Sequence, residues 1–179
     1  MRNRKTVILV STLLLLAALA LQAQNDDKRN SRGTLTAQLR PTEEVPALST
    51  PGSGEFMATV NADGTEINYA LRYSNLQGKV TQSHLHIGQF SVNGGIMIFL
   101  CSNLTSPAPP AGTQACPASG TITGTIHAAN VIGPAGQGIA PGELNEVVQA
   151  IRSGVVYANV HSDLFPGGEI RGQVRFSHH

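Results

Sequence analysis

The sequence predicts an all-β fold, an antiparallel Greek-key sandwich or barrel with one short helix. Three observations point there. Short runs alternate apolar and polar residues, Gly- and Pro-rich turns separate them at regular spacing, and one stretch alone carries helical spacing. At 179 residues the chain is expected to form a single domain.

The first segment reads as a leader. In "MRNRKTVILVSTLLLLAALALQAQ", Arg2, Arg4 and Lys5 precede an apolar run from Val7 to Leu21, and Ala20 and Ala23 offer small residues for cleavage. That pattern is a secretory signal peptide over residues 1–23, with an uncleaved anchor as the alternative. Residues 24–33, including "NDDKRNSRG", are polar and read as a flexible linker. The β domain is expected over 34–176, with residues 177–179 as a disordered tail. Its His178 and His179 are solvated, or else a copper-chelating end.

The strands follow in order. "TLTAQL" (Thr34 to Leu39) sends Leu35, Ala37 and Leu39 to one face, and the Pro-rich "PTEEVPALSTPGSG" is a loop. "EFMATVN" and "TEINYALRYS" flank "NADGT", a hairpin signal because Asp-Gly tolerates positive φ. "KVTQSHLHIG" precedes "GGIMIFLC", whose continuous apolar run suits a strand covered on both faces. "GTITGTIHA", "VVYANVHS" and "GEIRGQVRF" complete the set, the last two joined by "DLFPGG". The helix lies in "GELNEVVQAIRSG", with Leu144, Val147, Val148 and Ile151 on one face and Gly154 at its end, placed across one end of the sandwich. Cys101 and Cys116 enclose a loop-like stretch, so an exported chain is expected to pair them.

Composition narrows the function classes. Loss of the leader removes three positive charges and takes the formal charge from +1 to −2. No basic face is implied, which argues against nucleic acid, and no stable membrane span remains after cleavage. Nucleophile-elbow, phosphate-loop and paired-carboxylate signatures are not seen.

Alternation concentrates chemistry on one side of three strands. His84 and His86 lie opposite Leu85 and Ile87. Tyr157, Asn159 and His161 lie opposite Val156, Ala158 and Val160. Glu169, Arg171 and Gln173 lie opposite Ile170 and Val174. Same-side residues on a strand are about 6.5–7 Å apart, a span that lets two imidazoles converge on one ion. His84, His86 and His161 are therefore candidate surface ligands for copper or zinc, and His127 is a weaker fourth. Asn159, Glu169 and Arg171 form a supporting polar face. The competing reading is a hydrogen-bonded polar cluster without metal. Arg171 opposes a cation directly beside it and is expected to pair with Glu43, Glu44 or Glu169.

At these residues the sequence resembles a known family. "EEVP" at Glu43 to Pro46, the His-x-His of His84 and His86, "YANVH" at Tyr157 to His161 and "FPGGEIRG" at Phe165 to Gly172 are together the marks of the chordin domain, CHRD. The resemblance runs from about Leu35 to Val174. It implies an immunoglobulin-like or superoxide-dismutase-like sandwich, in a microbial exported single-domain member. Three functions follow as expectations: a secreted or periplasmic binding module holding copper or zinc, a structural or adhesive module for an extracellular protein or glycan, and a dismutase-like metalloenzyme.

Overall fold

A computed structural model of the chain describes residues 33–178. The leader and most of the linker expected from the sequence lie outside the described residues. Within them, nine strands form two antiparallel sheets with one α-helix between the sixth and seventh. The fold is the all-β sandwich that the alternation predicts.

The first sheet is built from β1 (Gly33–Leu39), β2 (Ser53–Val60), β3 (Ile67–Ser74), β6 (Gly120–Ile126) and β9 (Arg175–His178), in the order β6-β3-β2-β1-β9. Its inner face is the set the pleat predicts: Leu35, Ala37 and Leu39 beside Phe56, Ala58 and Val60, then Ile67, Tyr69, Leu71 and Tyr73, all buried. Asn61 closes the β2–β3 hairpin, its Oδ1 accepting from the Thr65 and Glu66 amides, while Gly64 takes φ +67°.

The second sheet holds β4 (Val80–Ile87), β5 (Ile96–Ser102), β7 (Val156–Ser162) and β8 (Ile170–Gln173), in the order β5-β4-β7-β8. Leu85, Val156, Ala158, Val160 and Ile170 face the first sheet and are fully buried. Burial of these aliphatic side chains contributes on the order of 1.5–3 kcal/mol each for the larger ones. Cys101 and Cys116 are joined in a disulfide, which fastens the loop after β5 to that edge strand. The helix, α1 (Leu144–Arg152), buries Leu144, Val147, Val148 and Ile151 in the same core, and Gly154 follows at φ +70°.

Two sequence expectations are corrected here. "GEIRGQVRF" is two strands, not one. Val174 breaks the ladder, so that β8 pairs with β7 in the second sheet and β9 pairs with β1 in the first. Pairing also continues to His178, past the start of the expected tail, because Ser177 and His178 find partners in Thr34 and Gly33.

Candidate metal centre

β4 and β7 are adjacent, and their register sets His84 opposite Asn159, with His86 opposite Tyr157 and His161 opposite Gln82. The pleat therefore carries three imidazoles from two strands to one place, on the face turned away from the first sheet. Their ring centroids lie 4.9 Å (His84–His161), 5.3 Å (His84–His86) and 6.2 Å (His86–His161) apart.

That face is not open surface, which corrects the expectation of a surface cluster. Every residue of β7 is buried, and His84, His86 and His161 are 0 %, 6 % and 6 % exposed. Three loops roof the sheet. The 88–95 loop supplies the Gly94 carbonyl to His86 Nδ1 at 2.9 Å, and the 163–168 turn supplies the Pro166 carbonyl to His161 Nδ1 at 2.9 Å. The Pro-rich loop after Arg40 is tied on through Asn93 Nδ2, which donates to the Val45 carbonyl. On the β5 side, Phe99 meets the His84 ring edge-on at 4.3 Å.

These contacts fix the protons. A carbonyl only accepts, so His86 and His161 carry their hydrogen on Nδ1 and turn a bare Nε2 lone pair inward. His84 Nδ1 lies 3.1 Å from that His161 Nε2, and the Asn159 side-chain amide lies 3.0 Å from it, where only its NH2 end can donate to a bare lone pair. Neither tautomer of His84 satisfies the cluster. With its proton on Nδ1, His84 donates to His161 and leaves its own Nε2 lone pair buried without a partner. With the proton on Nε2, that N–H is stranded and two lone pairs face each other at 3.1 Å. His84 Nε2 and His86 Nε2 both lack a hydrogen-bond partner. A buried unpaired polar group costs about 1–3 kcal/mol.

Burial also keeps the rings neutral. Desolvation, reinforced by the neighbouring imidazoles, holds His84 down to about 2. It holds His86 down to about 4, although the Gly94 carbonyl and Asn159 pull the other way. His161 is lowered by the same burial against the Pro166 carbonyl. Neutral imidazoles with inward lone pairs are the protonation state a metal ligand requires, and backbone carbonyls on the remote nitrogens are the usual supports of such ligands.

The donor set fits a metal ion. One nitrogen from each of the three histidines lies within 4.8 Å of the others. Ligands about 2.0–2.1 Å from a tetrahedral zinc lie about 3.3–3.4 Å apart, so the widest pair of nitrogens has to draw in by roughly 1.4 Å. His127 does not join them. It follows β6 in the other sheet, about half exposed, with Nδ1 3.7 Å from Glu66 Oε1.

The supporting face is only partly as expected. Asn159 touches His161 directly. Glu169 precedes β8, after Gly168 at φ +128°, and strand parity does not apply to it; its carboxylate accepts from the Gln77 and Gly78 amides and from Ser162 Oγ. Arg171 is on the face but forms no ion pair with Glu43, Glu44 or Glu169. Its guanidinium donates to the carbonyls of Gln89 and Val92 and to Asn93 Oδ1, at 2.9–3.2 Å. Sequence reasoning missed Tyr157 as the ring between Arg171 and His86, and missed the two loop carbonyls, which no side-chain pattern can announce.

An antiparallel two-sheet sandwich with a roofed three-histidine cluster on one outer face defines a small all-β domain. The CHRD domain family model matches residues 35–174, and the chain belongs to that family. No curated protein and no solved structure matches it. Among the described residues, no helix is long and apolar enough to cross a membrane.

Proposed function

We propose that the protein is an exported CHRD binding module that holds one copper or zinc ion between His84, His86 and His161. The observation that carries this reading is the convergence of three neutral buried imidazoles, one nitrogen of each within 4.8 Å of the others, with His84 Nε2 and His86 Nε2 left without a hydrogen-bond partner. The ion would supply a positive centre for those lone pairs, with His86 and His161 held in place by Gly94 and Pro166. Copper and zinc are the ions that imidazole-only donor sets favour. Export is supported by the leader-like first segment and by the disulfide, which persists in oxidising compartments. Burial of all three rings favours a holding site over a dismutase-type centre, since turnover needs an open coordination position.

The test is isothermal titration of chelator-stripped full chain with Cu²⁺ and Zn²⁺, using a background in which His178 and His179 are replaced by Ser. One equivalent is expected to bind, and His86→Gln and His161→Asn are each expected to weaken it by at least about tenfold, as loss of a ligand does. Equal affinity in folded variants defeats the reading.

A further inference from the structure

A second site lies away from the histidines, where β1, β9 and the end of α1 border a groove of about 870 Å³. Arg40, Arg152 and Arg175 line it, against one carboxylate, Glu43. Glu43 also lies near the buried Arg171 and shares its charge with it. The side chains of Arg40 and Arg175 are exposed and make no hydrogen bond or ion pair among the described residues. Arg152 sits 5.7 Å above the Phe176 ring, so one arginine is already held at the groove wall.

One further feature selects the ligand. Phe90, at the rim, is 65 % exposed and offers a flat apolar face. The groove therefore presents positive charge and an aromatic plane within one concavity.

We propose that this groove binds an acidic oligosaccharide. Carboxylates of uronate residues pair with the arginine forks, and the C–H face of a pyranose ring lies on Phe90. An acidic peptide matches the arginines alone and leaves Phe90 without a flat partner. The proposal does not rest on the metal reading, and it holds for metal-free protein.

The experiment titrates chelator-stripped full chain with an oligogalacturonate, a neutral oligosaccharide of equal length and a polyglutamate of equal charge. The oligogalacturonate is expected to bind best, with affinity falling as salt is raised. Arg40→Gln/Arg175→Gln is expected to weaken it by at least about tenfold, the loss of two charge-assisted contacts. Phe90→Ala is expected to weaken the oligogalacturonate and leave polyglutamate unchanged. All three side chains are solvent-facing, and a thermal melt checks that the variants fold. Polyglutamate binding as tightly as oligogalacturonate, or the double variant binding as the parent does, overturns the proposal.

Discussion

The Arg171 guanidinium carbon lies 3.5 Å from the centroid of the Tyr157 ring, and the other face of that ring stacks on His86 at 4.7 Å, within 5° of parallel. Tyr157 thus separates a buried positive charge from the nearest candidate ligand. The ring quadrupole takes part of the charge, and three loop acceptors take the rest. Arg171 is 2 % exposed, and it ties the 88–95 loop down onto the sheet.

Arg171→Lys keeps the charge and loses the fork. A lysine cannot reach Gln89, Val92 and Asn93 together while stacking on the ring. The expected cost is about 2–4 kcal/mol in denaturant unfolding, from a buried charge left short of acceptors. His86 is also expected to bind metal more weakly as the Gly94 carbonyl loosens. A variant within about 0.5 kcal/mol of the parent contradicts this account of the loop.

How much of this the sequence discloses depends on which residues lie inside strands. The parity of "YANVH" and "SHLHIG" is enough to bring His84, His86 and His161 to one face once β4 and β7 pair. Parity says nothing about what covers that face. The roof is made of backbone carbonyls and of Arg171 contacts to a loop, which arise from long-range chain path. The same limit explains His127: its own strand alternates correctly, but β6 pairs with β3 in the opposite sheet. Glu169 failed for a local reason, since it stands one residue before its strand begins. The split at Val174 was hidden because both halves continue a single alternation.

The histidines predict acid lability. Their folded values lie below the ordinary imidazole value near 6.5, with His84 at about 2 and His86 at about 4. The unfolded chain therefore takes up protons first as pH falls. The stability they confer is fully present above about pH 6.5 and is lost progressively toward pH 4 and below. Bound zinc or copper is expected to move the loss to lower pH, because metal competes with the same protons. Melting temperature against pH, with and without one equivalent of Zn²⁺, checks both statements; a flat profile from 6.5 to 4.5 contradicts the first.

Glu44 works in the opposite sense. It is 6 % exposed, its Oε1 has no partner, and burial raises its carboxyl to about 7 despite Arg171 nearby. The folded state binds this proton more tightly than the unfolded chain does. Its effect on stability is therefore favourable at low pH and declines as pH rises from about 4.5 to 7. Glu44→Gln removes that decline. The stability of Glu44→Gln relative to the parent is expected to grow across this window, by up to about 3 kcal/mol. Paired denaturation curves at pH 5 and pH 7.5 measure it, and a difference that does not change between the two contradicts the burial of an ionising carboxyl.

The disulfide separates stability from the candidate metal centre. It joins Cys101 to Cys116 across a separation of 15 residues, and Asn103 braces the same loop by donating to the Val80 and Cys116 carbonyls. A loop of this size is worth about 3 kcal/mol in the chain-entropy account. Yet β5 is an edge strand, and the three histidines are placed by the β4–β7 pairing beyond it. β5 also pairs directly with β4, Cys101 opposite Ser83 and Phe99 opposite and edge-on to His84, and this backbone ladder does not depend on the bridge. Cys101→Ser/Cys116→Ser is therefore expected to lose about 3 kcal/mol in denaturant unfolding and to keep metal affinity within a few-fold. If the folded double variant no longer binds Zn²⁺ or Cu²⁺, the β4–β7 pairing is not what positions the ligands, and the edge strand must be.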